Sequence, residues 1–251
     1  MAKPMRVVNA IGVFLRALVR SRVRGIGAVL LPLFLAACTQ TDSFTPRKTF
    51  QHPPGTARVL LMPPDIELYE LLASGLQEPR AEWTEAAKGN VKTAIADLLR
   101  PQDAEILPYI APVADAAAER RHTQLIKLHD AVGYSILSYQ YGLNELPGKR
   151  GNFDWTLGSG AGLLLQEFGA DYAMFVFMRD SYSSSGRKAL MVGLALLGGV
   201  SGGTQVGFAS LADLKTGNIV WFNRLISSIG DLRTPEPAHY AVKQLLQGQP
   251  L

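Results

Sequence analysis

Cysteine is nearly absent: Cys38 is the sole one in 251 residues. An internal disulfide is therefore excluded, and so is a thiolate metal cluster. Histidine is scarce too, with only His52, His122, His129 and His239. His122 and His129 stand seven positions apart. On a helix that is two turns, about 10.5 Å along the axis, too far for the pair to grip one ion. With no carboxylate cluster to help them, they are expected at the surface or half-buried, and neither a metal nor another cofactor is expected. Acidic residues are missing from positions 1–37, which hold six of the 25 basic residues and none of the 21 acidic ones. Positions 38–251 thus carry 19 basic against 21 acidic residues, a net charge of −2. The basic balance of the whole chain belongs to its first segment, so a nucleic-acid partner, which needs a basic face on the folded domain, is excluded.

That first segment has three zones in the order of an export signal. Arg16, Arg20, Arg22 and Arg24 form a positive stretch, and Ile26 to Leu35 form an apolar core of ten residues, too short to span a bilayer comfortably. Leu35-Ala36-Ala37-Cys38 closes the segment. These four residues resemble the bacterial lipobox at every position. The resemblance implies cleavage between Ala37 and Cys38, a diacylglycerol thioether on Cys38, and N-acylation with a fatty acid such as palmitate. Several acyl chains make a stable anchor where one is marginal. By the same analogy, Thr39 in place of an aspartate favours the outer membrane.

Three regions follow: a signal peptide over 1–37, a lipidated flexible tether over 38–57, and a domain over 58–251. The tether is expected because 39–57 is polar and contains Pro46, Pro53 and Pro54. In the domain, Arg58 to Met62 reads as a buried strand and Ile66 to Glu70 as a second extended piece. Trp83, Ala87, Val91, Ala94, Ile95 and Leu98 have helical spacing within 81–99. Ala104 to Ile110 reads as a strand, and 112–141 as the longest helix, with Leu125, Leu128, Val132, Ile136 and Tyr139 as its apolar stripe. Asp154 is the expected cap of a helix running to Phe168 and ended by Gly169. Ala173 to Met178 is apolar at every position, as in a strand buried on both faces. Val206 to Leu214 and Ile219 to Ile226 flank a Lys215-Thr216-Gly217-Asn218 turn, and Pro235 to Leu246 reads as a closing helix. The expected fold is α/β (α+β): a mixed central sheet with flanking helices and a C-terminal β-hairpin plus helix.

Three stretches, "VLLMPP", "GADYAMFVFM" and "LADLKTGNIVWFNRL", resemble periplasmic lipoproteins built on the TolB N-terminal-like domain, the curli secretion lipoprotein CsgG among them. The resemblance covers about 57–248 and implies a fold more than an activity.

Charge is absent again from Ala189 to Ala212, a run with six glycines. Two readings stand. The glycines favour a short buried helix over 190–200 that turns into a strand. The CsgG resemblance instead implies a segment near 189–208 that inserts into the membrane and oligomerises, carried by Leu190, Leu194, Leu197, Gly198, Gly199, Gly202 and Gly203. Within it, Gly199-Val200-Ser201-Gly202-Gly203 fits the G-x-S-x-G elbow of serine hydrolases, with Asp213 or Asp231 and His239 in chain order behind it. The pattern is weak in a glycine-rich run, and Gly158 to Gly162 lacks the Lys-Ser/Thr of a phosphate loop. The sequence thus points to a non-enzymatic lipoprotein on the periplasmic face of the envelope. It would bind or assemble with other envelope proteins, and as a homo-oligomer in the CsgG-like reading.

Overall fold

The computed structural model describes residues 39–45, 56–100, 104–142, 146–149, 151–194 and 202–251. All of them belong to one unit, Ala37–Leu251. Eight strands form one mixed sheet: β1 (Thr39–Phe44), β2 (Ala57–Leu61), β3 (Asp65–Leu71), β4 (Gln77–Pro79), β5 (Ala104–Pro108), β6 (Tyr172–Ser183), β7 (Gln205–Asp213) and β8 (Ile219–Ser227). Among the described residues five helices accompany it: α1 (Ala81–Leu99), α2 (Ala116–Tyr139), α3 (Gly162–Phe168), α4 (Ser185–Leu194) and α5 (Pro235–Leu245). The α/β architecture with its C-terminal hairpin and helix is as the sequence predicts.

The strand order is β1-β8-β7-β6-β2-β5. β6 is the axis. β2 runs parallel to its first half, from Val59 opposite Tyr172, and β3 parallel to its second half, ending with Leu71 opposite Ser183. Pro63-Pro64 lets one chain segment break and resume along the same edge, because proline supplies no ladder N–H. β6 alternates between two cores. Met174, Val176 and Met178 face α1 and α5, while Ala173, Phe175 and Phe177 face α2 and α3. That double burial explains its unbroken apolar run. The β7–β8 turn needs Gly217: its φ is +76°, and a Cβ there would lie 2.1 Å from the Gly158 carbonyl oxygen.

Three expectations are corrected. The flexible tether fails over its first residues, because Thr39–Phe44 is an edge strand pairing antiparallel with β8, Thr39 opposite Ser227 and Phe44 opposite Phe222. The remaining tether residues 46–55 lie outside the described residues. The buried stripe of α2 is Ala118, His122, Leu125, His129, Gly133 and Ile136, so the histidines are core residues and not half-exposed ones. Leu128 and Tyr139 are exposed instead. Asp154 caps no helix: 152–155 is irregular chain, and α3 is preceded by a single 3-10 turn over Ser159–Ala161. Gly169 does end α3, at φ +63°.

Candidate functional site

The parallel strands β3 and β6 end together at Leu71 and Ser183, and β7 begins and β8 ends at the same side of the sheet. The carboxyl ends of parallel strands are where open α/β sheets bind ligands. Here they gather a polar cluster. Asp180, only 4% exposed, accepts a hydrogen bond from Tyr182 Oη at 2.5 Å and one from Gln205 Nε2 at 2.7 Å. Tyr182 Oη in turn accepts from the Leu232 N–H at 2.8 Å. Arg233 grips Asp231 through Nε at 2.8 Å and Nη2 at 2.6 Å, and lays its guanidinium over the Tyr182 ring at 3.9 Å and the Trp83 ring at 4.6 Å. Trp83 meets Tyr182 edge-on at 5.8 Å.

Burial raises the Asp180 carboxyl to about 6, against the pull of its two side-chain donors. Burial and the neighbouring Asp180 charge push the Tyr182 phenol well above its ordinary value, so it stays protonated and donates. The hydrogen bonds from Arg233 hold Asp231 below the usual carboxylate range. Beside this cluster lies a cavity of about 250 Å³ bordered by Asp180, Gln205, Lys188, Gly230 and Arg233. Gln205 Oε1 has no hydrogen-bond partner among the described residues. A buried acid, a fixed phenol, the two cations Lys188 and Arg233 and the hydroxyls of Ser181, Ser183 and Ser228 line the cavity, a polar setting in which a small polar molecule could be held.

Two further polar series cross the α2 core, and sequence reading missed both. His129 Nε2 lies 2.7 Å from Ser210 Oγ, its ring stacks on Phe175 at 3.9 Å, and Asp130 Oδ1 stands 3.9 Å from Nδ1. The order resembles a catalytic triad, but Ser210 is 0% exposed and His129 3%, so no substrate reaches the hydroxyl. Burial lowers the His129 pKa and keeps the imidazole neutral. His122 is likewise buried, with Tyr109 Oη 2.9 Å from Nδ1. Glu167 Oε2 lies 2.7 Å from its Nε2, out of line with the ring nitrogen's hydrogen-bonding direction. Among the described residues no group of three or more His, Cys, Asp or Glu could hold a metal ion.

The residues singled out in the sequence scatter. Cys38, Ala37, Leu197, Gly198, Gly199 and Ser201 lie outside the described residues. Leu190 and Leu194 sit on α4, whose only buried residue is Arg187, so the expected burial fails over 190–194; the rest of the expected helix, 195–200, lies outside the described residues. Gly202 and Gly203 lead into β7, and a Cβ on Gly203 would lie 1.7 Å from the Ser181 carbonyl oxygen. The end of the 189–208 segment is no free insert: Gln205, Gly207 and Phe208 are buried in β7. Asp213 stands at the far end of that strand from Gly202, and His239 is exposed on α5. Among the described residues no helix is long and apolar enough to cross a membrane.

No family model matches the chain, and no curated protein matches it. Solved structures do. A point variant of the PelC dodecamer from Paraburkholderia phytofirmans is similar at 12% identity and a TM-score of 0.38, over 83% of this chain and 96% of that one. The PelC dodecamer in a second crystal form is similar at 12% identity and a TM-score of 0.33, over the same shares of 83% and 96%. Lipoprotein GNA1162 from Neisseria meningitidis is similar at 16% identity and a TM-score of 0.30, over 68% of this chain and 84% of that one.

Proposed function

We propose that the chain is a lipid-anchored component of the bacterial envelope, held through Cys38 on the periplasmic side of the outer membrane. It acts without catalysis, by binding and assembly, on a domain of the TolB N-terminal-like layout. The polar cavity at Asp180, Gln205 and Arg233 is its recognition site.

One observation carries the reading. The lipobox cysteine is followed at once by structure, since Thr39 is the first residue of β1 and its Oγ1 lies 3.1 Å from Ser227 Oγ. Consecutive Cα atoms are about 3.8 Å apart, so a lipid on Cys38 ties the sheet to the membrane with almost no slack. A tether suits a domain that searches; a direct attachment suits one that holds its place in an assembly.

The test is metabolic labelling of cells with an alkynyl fatty acid, followed by mass spectrometry of the mature N-terminal peptide. The expected result is an acylated Cys38 peptide in outer-membrane fractions, with the label lost in Cys38→Ser. An unmodified Cys38 in an unprocessed chain overturns the proposal.

A further inference from the structure

We infer that the end of the sheet from which Cys38 departs is itself a membrane-seating surface, built to lie in the bilayer interface; this rests on the anchor reading and extends it. The strand register defines that end. Thr39 pairs with Ser227, Ser227 with Gln205, and Leu71 with Ser183, so β1 begins, β7 begins, and β3, β6 and β8 end side by side. Among the described residues, six of the twelve exposed large apolar side chains lie at this end. Leu76 is 67% exposed in the turn between β3 and β4, and Val192 is 80% exposed on α4 beside Leu190 at 36%. Val206 at 38%, Ile226 at 37% and Ile229 at 37% complete the group along β7, β8 and the turn beyond. The opposite end of the β7–β8 hairpin is polar, turning through Asp213, Lys215, Thr216 and Asn218.

Chemistry matches position. Charge at this end is divided: Lys188 is exposed on α4 beside Leu190 and Val192, with no carboxylate between Asp180 and Asp213, whereas Glu70 and Glu78 lie on the β3–β4 side by Leu76. Exposed aliphatic side chains next to a cation suit the boundary between acyl chains and anionic headgroups. A domain fixed one residue from its lipid has this end in the headgroup zone by geometry alone. A second copy of the chain would cover the same residues, but it has no reason to choose the end where the anchor leaves.

Acylation consumes Cys38, so an introduced cysteine is the only free thiol. The lipidated full-length protein, carrying an environment-sensitive fluorophore at V192C, I229C or, as a control, K215C, is reconstituted into vesicles of phosphatidylethanolamine and phosphatidylglycerol. Blue-shifted emission and quenching by spin-labelled lipid are expected at Val192 and Ile229, and neither at Lys215. In an unlipidated Cys38→Ser protein that begins at residue 38, without the apolar segment before it, weak vesicle binding is expected to persist and to fall about tenfold in Val192→Asp. Acylated, vesicle-bound protein whose Val192 probe emits as in buffer overturns the seating and leaves the anchor standing. A blue shift without lipid quenching means that protein covers the patch, and also overturns it. An unmodified Cys38 overturns the anchor, and the Cys38→Ser binding series then decides the seating by itself.

Discussion

Two buried titrating groups make opposite demands on pH. The neutral His129 imidazole is buried against Phe175, and its pKa is held below the ordinary 6.5. Unfolding frees it to take a proton, so its contribution to stability is complete above 6.5 and is lost as pH falls below that value. His129→Gln keeps a partner for Ser210 without titrating, and its stability should not decline in that window; urea unfolding across pH checks this. Asp180 works in reverse. Its carboxyl is raised from 3.8 to about 6, so the folded state holds the extra proton and stability falls as pH rises through that interval. Asp180→Asn removes the cost, and should gain up to about 3 kcal/mol on the parent between the two ends of the window. A parallel pair of unfolding curves would refute it. Asn223 has no charge but more partners: it donates to the carbonyls of Gln244 and Leu245 and accepts from the Asp42 N–H, joining β1 to the end of α5. Asn223→Ala orphans the Leu245 carbonyl and the Asp42 N–H, while the Gln244 carbonyl still accepts from the Gln247 N–H; it should cost about 2 kcal/mol, with faster proteolysis in β1 as the local sign.

At the scale of the element, period decided what could be read. α1 and α5 declare themselves by apolar letters at a spacing of 3.6, and β6, β7 and β8 by short, mainly apolar runs buried on both faces. α2 was legible as a helix, but its face was not. Three of its six buried positions are His122, His129 and Gly133, which an apolar count passes over. Gly133 is there for contact: a Cβ would lie 2.5 Å from the ring of Phe208, itself 0% exposed. Gly133→Ala should therefore destabilise the domain by about 1–2 kcal/mol, even though alanine is worth about 1 kcal/mol more than glycine in a free helix. A gain in Tm would show that Phe208 has room to move. β1 was illegible for a different reason. Thr39-Gln40-Thr41-Asp42-Ser43 alternates nothing, and the strand is held by its ladder and by Phe44, which stacks on Phe153 at 5.8 Å and meets Tyr141 edge-on at 5.2 Å. The Asp180 cluster shows the same limit: Asp180, Gln205 and Asp231 meet only through strand register and the turn after β8.

For the whole molecule, the consequence of β1 is mechanical. A flexible segment over 38–57 would let the domain wander about 25 Å from its lipid and tumble. Six paired residues directly after Cys38 would instead join the proposed anchor to the sheet. The sheet continues without interruption through β8, β7 and β6 to β3. An orientation set at a membrane would therefore be passed to the cavity near Asp180, which shares that end of the sheet. A flexible Gly-Ser insert of about ten residues between Cys38 and Thr39 keeps the lipid and the folded domain, but restores slack of about 17–19 Å. With a probe at K215C, fluorescence anisotropy on vesicles should drop sharply in the insert relative to the parent. A lipidated insert with unchanged anisotropy would mean that the apolar rim of Val192 and Ile229 orients the domain unaided; a parent already as mobile as the insert would mean that β1 transmits nothing from the anchor.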